Sequence, residues 1–182
     1  EYRQLVKGNE SELWQEGAYK ELSRLAQGCK KRGVMGTNTA HFIDHRTKPS
    51  HKKATYARIV SEYRAQKSDP YRIRITVGGD QIYYAGETFT PNADLITAKV
   101  FFNSVISTPG AKFMTIDIKD FYLSTDMPDF EYMWLPRWLF SQEFIDNNNI
   151  AHLFHNDRIM IEIRKGMYGL PQAGRLAYIK LL

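Results

Sequence analysis

Short runs of β-branched and aromatic residues recur along this chain: HFID at 41–44, ATYARIVSEYR at 54–64, YRIRITV at 71–77, QIYYA at 81–85, KFMTIDI at 112–118, EYMWLP at 131–136 and RIMIEI at 158–163. Turn-forming residues punctuate them, which reads as strands. A strand leaves its backbone donors and acceptors open until a neighbour pairs them, so these runs must find one another in a sheet. YRIRITV and QIYYA flank Gly78-Gly79-Asp80 and are expected to form a hairpin. KFMTIDI is nearly all apolar, the pattern of a strand buried on both faces.

Helical patterns are interleaved with these runs. Over 12–27, Trp14, Ala18, Leu22 and Leu25 share one face, with Ser11 before and Gly28 after. From Thr90-Pro91 the stretch ADLITAKVFFNSVIST puts Leu95, Ala98, Phe102, Val105 and Ile106 on one side, predicting a buried helix closed by Pro109-Gly110. A short helix is expected at 138–146 and another after Pro171. This order of elements predicts an α+β fold.

Composition sets the bounds. Of 182 residues, 43% are hydrophobic and 25% charged, as in a folded globular chain. One cysteine, Cys29, excludes an internal disulfide and any cysteine-based zinc cluster, and suits a reducing compartment. Apolar runs such as VFF fall far short of the roughly 18 residues that span a bilayer, so a soluble intracellular chain is expected.

The net charge of +5 is unevenly placed. Residues 28–74 hold 12 basic side chains (Lys30, Lys31, Arg32, Arg46, Lys48, Lys52, Lys53, Arg58, Arg64, Lys67, Arg72, Arg74) against Asp44, Glu62 and Asp69. Such an excess suits a polyanion, or a solvated basic face. Asp117, Asp120, Asp126, Asp129 and Glu131 form an acidic counterpart, either a divalent-metal site or a polar loop. His41, His45, His51, His152 and His155 never combine with Cys29 at a metal-site spacing. Trp134, Trp138, Phe140 and Phe144 read as core, although aromatics beside a nucleic acid would stack on bases.

Asp117 is the most informative residue. A carboxylate at the end of an otherwise apolar strand must be capped, paired or bound to metal. Tyr122 follows five residues later, and IEIRKGMYGLPQAGRLAY runs from a strand through a glycine-punctuated turn into a helix. Taken together, KFMTIDIKDFYLSTDMP, EYMWLP and KGMYGLPQAGRLAY resemble the first and second palm motifs of the reverse transcriptases of copia-type LTR retrotransposons. WQEGAYKELSRL and GETFTP at 86–91 are similar to that family's lead-in segments.

The resemblance implies a partial polymerase right hand: an N-terminal helix and connector over 1–39, β-rich fingers over 40–91, and an incomplete palm over 92–182. It implies an RNA-directed DNA polymerase that joins dNTPs to a primer 3′ end with two Mg²⁺ or Mn²⁺ ions. Asp117 would be a metal ligand and the catalytic carboxylate, with the Ile118 backbone carbonyl as an auxiliary ligand. Tyr122 would be the steric gate against a ribose 2′-hydroxyl, or else a core aromatic. Gln172 would lie beside the nucleotide sugar, or cap a helix, and Gly174 would let backbone approach closely. Arg72, with Arg74 as rival, would hold the triphosphate, as would Lys67. Lys52, Lys53, Arg58 and Arg64 would bind nucleic acid. Expected partners are template-primer and the rest of a polyprotein: remaining palm, thumb, ribonuclease H and an upstream integrase, with no membrane. The compartment would be the cytoplasm, a virus-like particle or the nucleus.

The family's third motif, an aromatic-x-Asp-Asp hairpin with the other two metal ligands, has no counterpart, because no Asp-Asp pair occurs. The chain is therefore expected to stop short of that hairpin and to be inactive alone. Two other readings stay open: a non-catalytic element relic that binds nucleic acid, and a metal-dependent nuclease or phosphotransferase built on Asp117 to Glu131.

Overall fold

In the computed structural model, which describes residues 1–182, the elements run α1 (Tyr2–Leu5), α2 (Ser11–Leu25), β1 (Gly28–Cys29), β2 (Val34–Met35), β3 (Ala40–Ile43), β4 (Ala54–Tyr63), β5 (Tyr71–Val77), α3 (Leu95–Ser107), β6 (Asp126–Pro136), α4 (Gln142–Asn147), β7 (Arg158–Lys165) and α5 (Ala173–Leu181). This is the expected α+β class. β1 and β2 form a small ribbon, and the other five strands form one sheet in the order β3-β7-β6-β4-β5. Neighbours are antiparallel except β4 and β6, which run parallel over Ala54–Tyr56 and Tyr132–Trp134.

β7 lies inside the sheet between β3 and β6, and its apolar run is buried accordingly: Ile159, Met160, Ile161 and Ile163 are all sealed from solvent. Ile161 stands opposite Phe42 on one side and Met133 on the other. Leu139, Phe144, Ile145 and Ile150, from the segment that follows β6, join the same core. α4 begins at Ser141, whose hydroxyl accepts the Phe144 N–H, so the helix expected at 138–146 starts a few residues later.

α2 closes the β5 edge. Trp14, Ala18, Leu22 and Leu25 are buried as their spacing predicted, with Trp14 set edge-on to Tyr71 at 5.1 Å. The Glu21 carboxylate accepts the Ile75 N–H at 3.3 Å and two bonds from Arg24, so an edge donor that would otherwise face solvent is satisfied.

Three expectations fail, for related reasons. No hairpin forms at Gly78–Asp80: the partner of β5 is β4, in register from Ala57↔Val77 to Tyr63↔Tyr71. After Val77 the chain meets the turn at 166–171 instead of folding back. The Val77 N–H bonds the Tyr168 carbonyl at 2.8 Å, and Gly79 sits so close to the Gly169 carbonyl that any Cβ would clash. In QIYYA only Ile82 packs against the core, and Tyr83 is 90% exposed. KFMTIDI forms no strand, and Phe113, Met114, Ile116 and Ile118 face outward. α3 does form, with Asp94 capping the Thr97 N–H at 2.6 Å, yet none of its residues is buried. No helix is long and apolar enough to cross a membrane.

Candidate functional site

Residues 117–122 run between two clefts. The first, of about 520 Å³, is lined by Asp117, Ile118, Phe121 and Tyr122 from this segment, Tyr168 from the turn after β7, and Gly174 and Tyr178 from α5. Tyr122 and Tyr168 meet edge to face at 5.4 Å. A Cβ on Gly174 would lie 3.1 Å from the Thr90 hydroxyl and 3.8 Å from the Tyr122 hydroxyl, so the missing side chain keeps the space beside that phenol open. Asp117 is exposed and makes no hydrogen bond or ion pair with another side chain.

The second cleft is basic. Lys20 and Arg24 of α2, Arg64, Arg72 of β5 and Lys119 converge on about 320 Å³, against the acids Glu21 and Asp69. Burial, and then repulsion from Arg74 and Arg64, push the Arg72 guanidinium below its ordinary value. The Nε atoms of Arg64 and Arg74 are buried without a partner. Positive charge is thus crowded where an anion would relieve it. The two clefts are joined by the turn at Asp120, which sits in the left-handed region (φ 53°) and accepts a bond from Arg24.

Asp117, Ile118, Tyr122 and Gly174 come together, although Gly174 lies far along the chain from the others. Gln172 does not join them: it is 3% exposed at the start of α5, and its Oε1 has no hydrogen-bond partner. Arg72 and Arg74 share one face of β5 but go to different places. Arg72 lines the basic cleft, whereas Arg74 leans over the Tyr168 ring at 6.0 Å. Lys67 is exposed in the β4–β5 turn and lines neither cleft.

Among the expected nucleic-acid contacts, Lys52 is engaged elsewhere. It pairs with Asp129 and with Glu131, the latter at 3.1 Å, and these carboxylates raise its pKa despite burial. Arg58 bonds the Tyr56 hydroxyl at 2.9 Å and Asp80 at 3.3 Å. Lys53 is exposed and Arg64 lines the basic cleft. The acidic run is likewise dispersed, with Asp120 on Arg24 and Asp129 and Glu131 on Lys52. No three His, Cys, Asp or Glu side chains gather as a metal-binding group.

Tyr168, Tyr178, Lys20, Arg24 and Lys119 are the site residues that sequence reasoning did not single out. Tyr168 lies within KGMYGLPQ and was within reach of motif reading. Arg24 carries no local signal, because only the docking of α2 on β5 brings it to Asp120. No family model, no curated protein and no solved structure matches the chain.

Proposed function

We propose that these residues form the fingers and the first part of the palm of an RNA-directed DNA polymerase of the copia retrotransposon type. The observation that carries the reading is the meeting of Asp117, Ile118, Tyr122 and Gly174 in one cleft, next to an arginine-lined cleft reached through Lys119. These are the positions that the family resemblance assigns to metal, sugar and close backbone approach. In this reading the basic cleft takes the nucleotide triphosphate, with Arg72 as its planar bidentate donor. In the same reading the Tyr122 ring would exclude a ribose 2′-hydroxyl, and Gly174 would let backbone approach the template or nucleotide closely.

Two Mg²⁺ or Mn²⁺ ions, when bound in a complete enzyme, would clamp the attacking and leaving oxygens. The donors of this chain do not complete such a site, since Asp117 is the single carboxylate in the cleft. We propose that the missing carboxylates come from a further palm segment seated on the outward-facing apolar surface of α3 and residues 113–118. Thumb, ribonuclease H, integrase, template-primer and dNTPs are the other partners of this reading.

The test is primer extension on an RNA template with Mg²⁺, using a polyprotein that joins these residues to an aromatic-x-Asp-Asp segment. Asp117→Asn is expected to lower incorporation by about 10²- to 10³-fold or more, the scale on which losing preorganised charge at a transition state is felt, with template binding retained. Unchanged incorporation would sink the reading. Tyr122→Val is expected to admit ribonucleotides, and unaltered sugar discrimination would remove the gate role. The 182-residue chain by itself is expected to extend no primer.

A further inference from the structure

A third cleft, of about 510 Å³, shares no lining residue with the other two. Its walls are His45, Lys48, His51, Lys52, Lys53 and Trp134, and no acidic side chain lines it. Two of the lysines are engaged: Lys48 bonds the carbonyls of Pro49 and Lys52, and Lys52 is held by Asp129 and Glu131. Lys53 and His51 are exposed and make no side-chain bond, so the Lys53 charge and the ring nitrogens of His51 are open to a ligand.

Planar groups stand in a row beside these cations. The Arg158 guanidinium lies 4.1 Å over the Trp134 ring, the His45 ring is 6.0 Å from Trp134, and His45 stacks on His155 at 4.2 Å and 24°. Sheet register fixes this arrangement, because Trp134 of β6 pairs with Tyr56 of β4 and with Met160 of β7. The side chain projects from a rigid strand and is only partly covered. An indole face answers a nucleobase, and the unpaired Lys53 ammonium answers a phosphate, Lys52 being neutralised by Asp129 and Glu131. A simple anion would leave the part of the indole not covered by Arg158 unused, and an apolar ligand would leave Lys53 unused.

We propose that this cleft binds an unpaired nucleotide, with its base stacked on Trp134 beside His45 and its phosphate on Lys53 and His51. The site deepens the nucleic-acid role that the resemblance assigns to Lys52 and Lys53 and rests on that part of the reading, while none of its residues belongs to the Asp117 or Arg72 clefts. The chemistry is common to a free nucleotide and to single-stranded nucleic acid, and the experiment separates these sources.

The 182-residue chain is titrated with a fluorescein-labelled 12-mer of oligo(dT) and, in parallel, with AMP, following oligonucleotide anisotropy and tryptophan emission. Binding with quenched tryptophan emission is expected. Trp134→Ala should weaken it roughly 5- to 100-fold, as loss of one base-stacking platform does. Trp134→Phe should keep most of the affinity while the quenching disappears, which a merely structural role for Trp134 would not produce. Lys53→Ala should lower the slope of log K against log salt by about one. Trp138→Ala should bind like the parent, and because neither Trp134 nor Lys53 lines the Asp117 or Arg72 cleft, failure of the polymerase reading leaves this result intact. Binding of the 12-mer alone assigns a single strand, and equal binding of AMP assigns a free nucleotide. Absence of both, or parental affinity in both Trp134→Ala and Lys53→Ala, overturns the proposal.

Discussion

At Gly17, in the middle of α2, alanine would raise intrinsic helix propensity by about 0.5–1 kcal/mol, yet a methyl group there would run into the Tyr71 carbonyl and touch Ile73. Because backbone cannot yield as a flexible side chain can, the packing cost should outweigh the propensity gain. Gly17→Ala is expected to destabilise by about 1–3 kcal/mol in urea unfolding, and a stability equal to or above the parent would show that α2 can lift off β5. Side-chain direction separates the two β5 arginines at the same scale. Arg72 faces Arg24, Arg64 and Lys119, while Arg74 rests on Tyr168. Tripolyphosphate titrated calorimetrically into the chain at low salt should lose affinity about 10- to 150-fold with Arg72→Ala, one charge-assisted contact of about 1.5–3 kcal/mol being removed, and less with Arg74→Ala. The reverse order would move the anion to the Tyr168 side.

Among the elements, α2, the turn after β1 and α4 are tied by one guanidinium. Arg32 bonds Glu16 at 2.9 Å and Glu143 at 2.9 Å, with its plane 3.7 Å over Tyr19. The Arg32 bond holds the Glu143 carboxyl below its ordinary value, while burial opposes. A carboxyl depressed on folding contributes stability that is present above its unfolded pKa, near 4.3, and is lost as pH falls through the folded value. Thermal midpoints should therefore drop more steeply below about pH 4.5 in the parent than in Glu143→Gln, and parallel curves would remove this tie as a source of acid sensitivity. Elements whose apolar residues find a partner within the chain were legible in the sequence: α2 from its spacing of four, four and three, and β7 from Ile159, Met160, Ile161 and Ile163. KFMTIDI and α3 carry equally strong patterns, but periodicity states which residues seek burial and not what is there to bury them. Asp117, Tyr122 and Gly174 were legible as a site because motifs mark them. Gln172 was marked too, and the turn into α5 points it inward, while Arg24 enters through docking that no local pattern encodes.

Taken whole, the molecule has one well-sealed core and one conspicuously open apolar surface. Leu95, Ile96, Val100 and Ile106 of α3 are 68%, 72%, 64% and 84% exposed, and Phe101, Phe102 and Phe113 pack on one another rather than on the sheet. Soluble monomers seldom leave so many contiguous large apolar side chains in water, and the cost falls on solubility rather than on folding, since nothing there is buried to be lost. The isolated chain is therefore expected to bind the dye ANS while folded, and to self-associate increasingly from micromolar concentration upward. Ile96→Lys combined with Ile106→Lys should reduce both effects severalfold. It should leave the urea midpoint within the roughly 0.5 kcal/mol typical of surface changes, whereas Ile161→Ala in the core should cost about 2–5 kcal/mol. If the double lysine variant instead unfolds cooperatively at much lower urea, the α3 face is packed in solution and the open surface does not exist. If dye binding and association fall while the midpoint holds, the surface is open in the isolated chain.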